Sequence, residues 1–316
     1  MAIVLINSLK SSREWEDEFR KQATANYPDL DLRVWPDIGN AEDITQAVVA
    51  FPEQGAFAKL PNLKFIHSLW AGIERLVTDP DRPYGVPIFR MVDFGLTQGM
   101  VDYMTGHTYR HHLGTDRVIR DNANAEWNAV VPPLATDRTV GILGLGVLGM
   151  AVANNLHQCG FKVIGWSRSA KSSPDFFCLA GDIGLNATLE QSSILLLLLP
   201  RTPLTENIIN AETLAKLPRG AAIINAGRGE LIDDDALLAA LDSGQISGAT
   251  LDVFREEPLP PDHPYWSHPQ VLVTPHIAAE TRIVSGTRTV LENVHALDHG
   301  GDQFTIPGRV SPDSSY

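Results

Sequence analysis

The chain has 316 residues, 44% of them hydrophobic and 20% charged, with a formal net charge of −13. That length exceeds what one hydrophobic core usually covers, so two domains are expected. So negative a surface argues against nucleic-acid and anionic-membrane partners, and any anion site must be a local basic pocket.

Taken in order, residues 2–6 are apolar and read as a first strand. The run is too short, and too poor in basic residues before it, for a signal peptide. Residues 12–23 read as a helix with charged faces, and 32–35, 47–51, 64–69 and 88–92 as short strands. This is an α/β pattern. Residues 97–120 lack proline and read as a helix, followed by an irregular arm at 122–133. A new unit opens at Arg138 with a strand at 139–143, a glycine turn, a helix to about Cys159 and a strand at 161–166. Further strands are expected at 194–199, 221–225, 248–252 and 271–274, and a last helix at 281–299. The greasiest run, 194–199, stops at Pro200, far short of a membrane span; it suits a strand buried on both faces. Strands spaced by helices imply crossovers and parallel sheets. One domain at 106–280 is therefore expected, inserted into another built from 1–105 and 281–316. The two cysteines, Cys159 and Cys178, make neither a disulfide framework nor a metal cluster. They read as free thiols of a cytoplasmic protein. No histidine has trustworthy metal-ligand spacing, so no metal is expected.

The turn after strand 139–143 carries Gly144, Gly146 and Gly149, a G-x-G-x-x-G set between a strand and a helix. That context fits a dinucleotide site. Gly144 permits the tight turn, Gly146 lets backbone approach a diphosphate, and Gly149 permits close helix–strand packing. The helix start, with Val147 and Leu148, then offers N–H groups and a partial positive charge to phosphates. An NAD site usually has Asp or Glu at the end of the second strand. Here stand Ser167, Arg168, Ser169 and Lys171, with no acid among them. A 2′-phosphate would accept from the Arg168 fork and the serine hydroxyls, so NADP is expected over NAD. The alternative is a solvated basic turn.

Three further strand ends carry reactive side chains: Arg228 between Gly227 and Gly229, Glu257 a few residues after Asp252, and His276 after Thr274 and Pro275. In open α/β sheets ligands bind at the carboxyl ends of strands, so these groups can converge. A carboxylate beside the imidazole would fix its tautomer and favour its protonated form. Glu256 competes with Glu257 for that place.

The ordered set Gly144 to Gly149, Leu199-Pro-Arg-Thr-Pro, Asn225 to Gly229, Leu251-Asp-Val-Phe, Glu257-Pro-Leu and Pro275-His276 resembles the D-isomer-specific 2-hydroxyacid dehydrogenase family. The stretches Trp166-Ser-Arg-Ser, Glu257-Pro-Leu-Pro-Pro and Trp266-Ser-His-Pro resemble its glyoxylate/hydroxypyruvate reductase A branch. The resemblance implies two Rossmann-like domains with parallel sheets, the dinucleotide-binding one inserted into a flavodoxin-like substrate domain. It implies that small 2-keto acids are reduced to D-2-hydroxy acids by hydride from NADPH. His276 would be the acid/base, Glu257 its partner, and Arg228 the group that binds and polarises the substrate. Pro200, Arg201, Thr202, Asn225, Ala226, Gly227, Asp252 and Ala278 would line the cofactor. Trp70, Ala71 and Gly72 would form the substrate loop, and a homodimer would pair through residues 97–133. Two features depart from the family: the missing acid after the second strand, and Gln98 to Asp102 in place of its usual hinge. The same fold serves dinucleotide-sensing corepressors, the second reading. Formate dehydrogenases, the third, carry glutamine where Glu257 stands.

Overall fold

The computed structural model describes residues 2–310. In chain order the first elements are β1 (Ala2–Asn7), α1 (Ser12–Asn26), β2 (Asp31–Val34), β3 (Ile44–Ala50), β4 (Phe65–Ser68), α2 (Glu74–Val77) and β5 (Ile88–Phe89). Then come α3 (Phe94–Leu113), α4 (Thr115–Ala123), β6 (Thr139–Leu143), α5 (Val147–Gln158), β7 (Lys162–Trp166), β8 (Phe177–Leu179), α6 (Gly181–Gln191) and β9 (Ile194–Leu197). The chain continues through α7 (Ala211–Lys216), β10 (Ala221–Asn225), α8 (Asp234–Asp242), β11 (Ile246–Leu251), β12 (Val271–Val273), α9 (Ile283–Asp298) and β13 (Arg309–Val310).

The chain divides into two compact units, Met1–Leu96 with Thr281–Tyr316, and Thr97–Glu280. In the first, the strand order is β13-β5-β4-β3-β1-β2. From β2 to β5 this is the 2-1-3-4-5 order of flavodoxin-like folds. Those strands pair in parallel, whereas β13 joins β5 antiparallel. A two-residue return strand carries too little pattern to be read from sequence. β3 is buried along its whole length, as a central strand covered on both faces must be.

In the second unit the order is β12-β11-β10-β9-β6-β7-β8, parallel throughout among the described residues. β9 is the Ile-Leu-Leu-Leu run, buried at all four positions. At about 1.5–3 kcal/mol per buried aliphatic side chain, this strand contributes strongly to the core. Strand order reverses between β6 and β9, which puts a topological switch point beside the glycine turn. The helix expected over 97–120 is broken: Gly114, at φ +65°, closes α3 and opens α4. Glycine reaches that left-handed conformation without the Cβ penalty. β8 has no counterpart in the sequence reading. Its Phe-Cys-Leu run is only three residues long and half open to solvent.

Candidate active site

The glycine turn joins β6 to α5 at the switch point. Gly144 lies at φ +113°, and a Cβ there would stand 2.6 Å from the Leu198 carbonyl oxygen. A Cβ on Gly149 would stand 1.8 Å from the Gly144 carbonyl oxygen, so the helix can approach the turn this closely only with glycine. Gly146, by contrast, faces open space. It is the N-cap of α5, and no side chain caps the helix. The first N–H groups, from Val147 onward, have no intrahelical partner and carry the positive end of the helix dipole. An open cradle of backbone N–H at the start of a 12-residue helix fits a dinucleotide diphosphate.

At the end of β7, the Ser167 hydroxyl donates to the Ser169 carbonyl at 2.8 Å and shapes the turn. Arg168, Ser169 and Lys171 are exposed beyond it. No acidic side chain pairs with Arg168 among the described residues. Pro200, Arg201 and Thr202 follow β9; the Thr202 N–H donates to Thr205 Oγ1 at 2.8 Å, and Arg201 pairs with Glu230 at 2.8 Å.

β10, β11 and β12 bring the three reactive strand ends together. The His276 imidazole meets Glu257 at 2.7 Å from Nδ1 to Oε2. Its partner is thus Glu257, not Glu256. The other Glu257 oxygen accepts the Phe254 N–H at 2.9 Å. With Nδ1 bonded to a carboxylate, Nε2 is the nitrogen left for exchange. The hydrogen bond to Glu257 raises the His276 pKa above its ordinary value; burial opposes it, and the Glu257 and Asp252 charges add to it. Burial pushes the Glu257 carboxyl up, but the bonds from His276 and the Phe254 N–H bring it below its usual range. The imidazole side chain is 53% exposed, so Nε2 can reach a small molecule.

Arg228 lies within the electrostatic reach of both Glu257 and His276. Its loop is shaped by Asn225, whose side chain accepts the Gly227 N–H at 3.0 Å and donates to the Arg228 carbonyl at 2.9 Å. Asn225, Ala226 and Gly227 are buried. A Cβ on Gly229 would stand 2.0 Å from the Phe254 carbonyl carbon, so the Arg228 and Glu257 loops touch backbone to backbone.

Asp252 is only 1% exposed and its carboxylate is occupied within the protein. It accepts from Thr274 Oγ1 at 2.6 Å, the Ile277 N–H at 2.9 Å and the Ala278 N–H at 2.9 Å. Those bonds enclose His276, whose φ of +54° is unusual for a non-glycine residue. Asp252 and Ala278 therefore meet in the turn that carries the imidazole. A second clamp is formed by Arg255, which donates to the Ile232 carbonyl and Asn207 and pairs with Asp234 at 3.5 Å. Tyr265 also donates to Asp234, at 2.9 Å. No local pattern announces the contacts of Arg255 or Tyr265, since their partners are 21 or more residues away.

In the other unit, the loop after β4 carries Trp70, Ala71 and Gly72. The Trp70 N–H donates to Ser68 Oγ at 3.0 Å, and its ring lies 6.1 Å from that of Phe51. Among the described residues no group of three or more His, Cys, Asp or Glu is placed to hold a metal ion. Among them, too, no helix is long and apolar enough to cross a membrane.

Residues 103–278 match the family model described as "D-isomer specific 2-hydroxyacid dehydrogenase, NAD binding domain". The glyoxylate/hydroxypyruvate reductase A of Yersinia enterocolitica is 34% identical over 305 residues, covering 95% of this chain and 96% of that protein. Among solved structures, a D-isomer-specific 2-hydroxyacid dehydrogenase from Xanthobacter autotrophicus Py2, in complex with NADPH and MES, superposes with a TM-score of 0.92 at 38% identity. The alignment covers 100% of this chain and 99% of that one. An NADPH-dependent glyoxylate/hydroxypyruvate reductase from Sinorhizobium meliloti, with NADP and sulfate, gives 0.89 at 32% identity over 100% and 99% of the two chains.

Proposed function

The chain belongs to the D-isomer-specific 2-hydroxyacid dehydrogenases, and from that premise we propose that it reduces small 2-keto acids, glyoxylate or hydroxypyruvate among them, to D-2-hydroxy acids with NADPH. The observation that carries the reading is the 2.7 Å pair between His276 and Glu257. It favours the charged form of an imidazole within electrostatic reach of a guanidinium, which is what reduction of a keto acid asks of the protein.

Dinucleotide binding falls to the domain at 106–280 and substrate binding to the domain at 1–105 with 281–316. Gly144, Gly146, Val147, Leu148 and Gly149 hold the diphosphate, while Pro200, Arg201, Thr202 and the Asn225 to Gly227 turn line the remainder of the cofactor. Arg168, with Ser169 and Lys171, takes the 2′-phosphate on the turn that Ser167 shapes. The absence of an acid there makes NADPH the better ligand, because a carboxylate would repel the phosphate. NADPH, when bound, supplies the hydride. Arg228 grips the substrate carboxylate and polarises the carbonyl, and its planar fork suits that two-point contact. His276 delivers a proton from Nε2 to the carbonyl oxygen as the hydride arrives. Glu257 keeps the imidazole charged before that step and oriented during it. Asp252 holds the turn that carries the imidazole, beside the nicotinamide. Trp70, Ala71 and Gly72 form the substrate loop of the other domain.

We further propose a cytoplasmic homodimer. The arm at 124–134 leaves Trp127 97% and Val131 89% exposed, and large apolar side chains in such number mark an association surface. The reductase reading is tested by following NADPH and NADH oxidation side by side with glyoxylate, hydroxypyruvate and phenylpyruvate. Faster turnover with NADPH and one of the small keto acids is expected. Dinucleotide binding with no turnover of any keto acid would favour the dinucleotide-sensing alternative.

A further inference from the structure

Helix α3 sends Tyr103 toward the strand end that carries His276. The Tyr103 hydroxyl lies 2.7 Å from Thr274 Oγ1, across 171 residues of sequence. Thr274 Oγ1 in turn lies 2.6 Å from an Asp252 oxygen. An ionised carboxylate can only accept, and a threonine hydroxyl has one proton to give. The Thr274 proton therefore goes to Asp252, and the Tyr103 proton to Thr274. The chain of bonds has one direction, from the helix through the threonine to the carboxylate. Asp252 then accepts the Ile277 and Ala278 N–H groups, both at 2.9 Å, on the far side of His276. Hydrogen bonds in such a series strengthen one another in a low-dielectric interior.

A buried tyrosine hydroxyl often just needs a partner. Here the partner stands two residues before a histidine held at φ +54°, in a conformation that persists only where its surroundings over-determine it. Burial raises the Tyr103 pKa, so the phenol remains a donor over the working range of an imidazole. Asp252 and Arg110 also face the phenol, and the neighbouring His107 is lowered by burial and then by Arg110. The groups facing the His276 imidazole are Glu257 and Asp252, which favour its charged form, and Arg228, which opposes it.

We propose that Tyr103 and Thr274 are positioning residues for His276, fixing through Asp252 the strained turn that aims the imidazole. The proposal rests on the reductase reading for its catalytic consequence and on geometry alone for its structural one. Three variants separate the parts: Thr274→Val removes the hydroxyl at constant shape, Thr274→Ser retains it, and Tyr103→Phe removes only the first donor. Hydrogen bonds to charged groups set the scale of the loss. Thr274→Val should lower kcat about 10-fold with both KM values within about 3-fold of wild type, Tyr103→Phe about 3- to 10-fold, and Thr274→Ser less than about 3-fold. In parallel, the His276 imidazole is titrated by NMR in each folded variant, its signal identified by loss in His276→Gln. Its midpoint should move to lower pH in Thr274→Val and Tyr103→Phe, because the turn no longer holds the ring against both carboxylates, and stay in place in Thr274→Ser. Wild-type kcat and midpoint in both Thr274→Val and Tyr103→Phe would overturn the proposal, as would a Thr274→Ser protein as impaired as Thr274→Val. A wild-type protein that reduces no keto acid would sink the reductase reading alone, since the imidazole titration needs no turnover and would still decide the relay.

Discussion

At the scale of single residues, the proposed chemistry turns on one imidazole and one guanidinium. His276→Ala should cost about 10²- to 10⁴-fold in kcat, the usual contribution of a general acid. The pH dependence has a definite sign. The proposed reduction would consume the protonated imidazole, and the His276 pKa lies above its ordinary value, chiefly through the hydrogen bond to Glu257. Activity in the reductive direction is therefore full at low pH and falls as pH rises through that raised pKa. Glu257→Gln removes the negative charge from the strongest partner of His276, so the alkaline limb of kcat should move to lower pH; an unmoved limb would detach the pair from catalysis. Arg168 answers a different question. Arg168→Ala should raise KM for NADPH about 10-fold or more while leaving KM for NADH nearly unchanged, since only NADPH has the charged group it would contact. Equal effects on the two cofactors would take Arg168 out of the 2′-phosphate site.

At the scale of elements, glycines at close backbone crossings let the loops meet. Gly229 sits where the loop after β10 crosses the loop after β11, and a Cβ there would stand 2.4 Å from the Arg255 backbone nitrogen. Gly229→Ala must push those loops apart, and overpacking of this kind costs about 1–3 kcal/mol. Thermal melting should show that loss, and kcat should fall with it because Arg228 and Glu257 ride on the two loops. A variant with wild-type melting and wild-type kcat would show that the crossing is slack. The strands and the glycine turn were legible in the sequence because hydrophobic runs and turn residues are local signals. The break between α3 and α4 was not, because Gly114 sits in an otherwise uninterrupted helical pattern and glycine alone does not end a helix. β8 and β13 were missed because two or three residues hold no period.

At the scale of the whole molecule, the expected α/β fold with two parallel sheets is the one observed. The His276–Glu257 contact could be anticipated because both residues, like Arg228, follow a strand at the same end of one parallel sheet. Tyr103, Arg255 and Tyr265 could not, because their partners are set by the fold and not by neighbours in the chain. The exposed arm with Trp127 and Val131 carries a prediction of the same scale. Light scattering should give twice the mass of the 316-residue chain, and Trp127→Asp with Val131→Asp should reduce it toward one; a monomeric wild-type protein would contradict the interface.

The most direct test of the account is the fate of the hydride itself. NADPH carrying deuterium at both C4 positions is incubated with the enzyme and hydroxypyruvate, and the product is examined by mass spectrometry and chiral chromatography. Deuterium at C2 of D-glycerate is the predicted result. Glycerate without the label, or bound NADPH that stays unoxidised with every 2-keto acid offered, would contradict it.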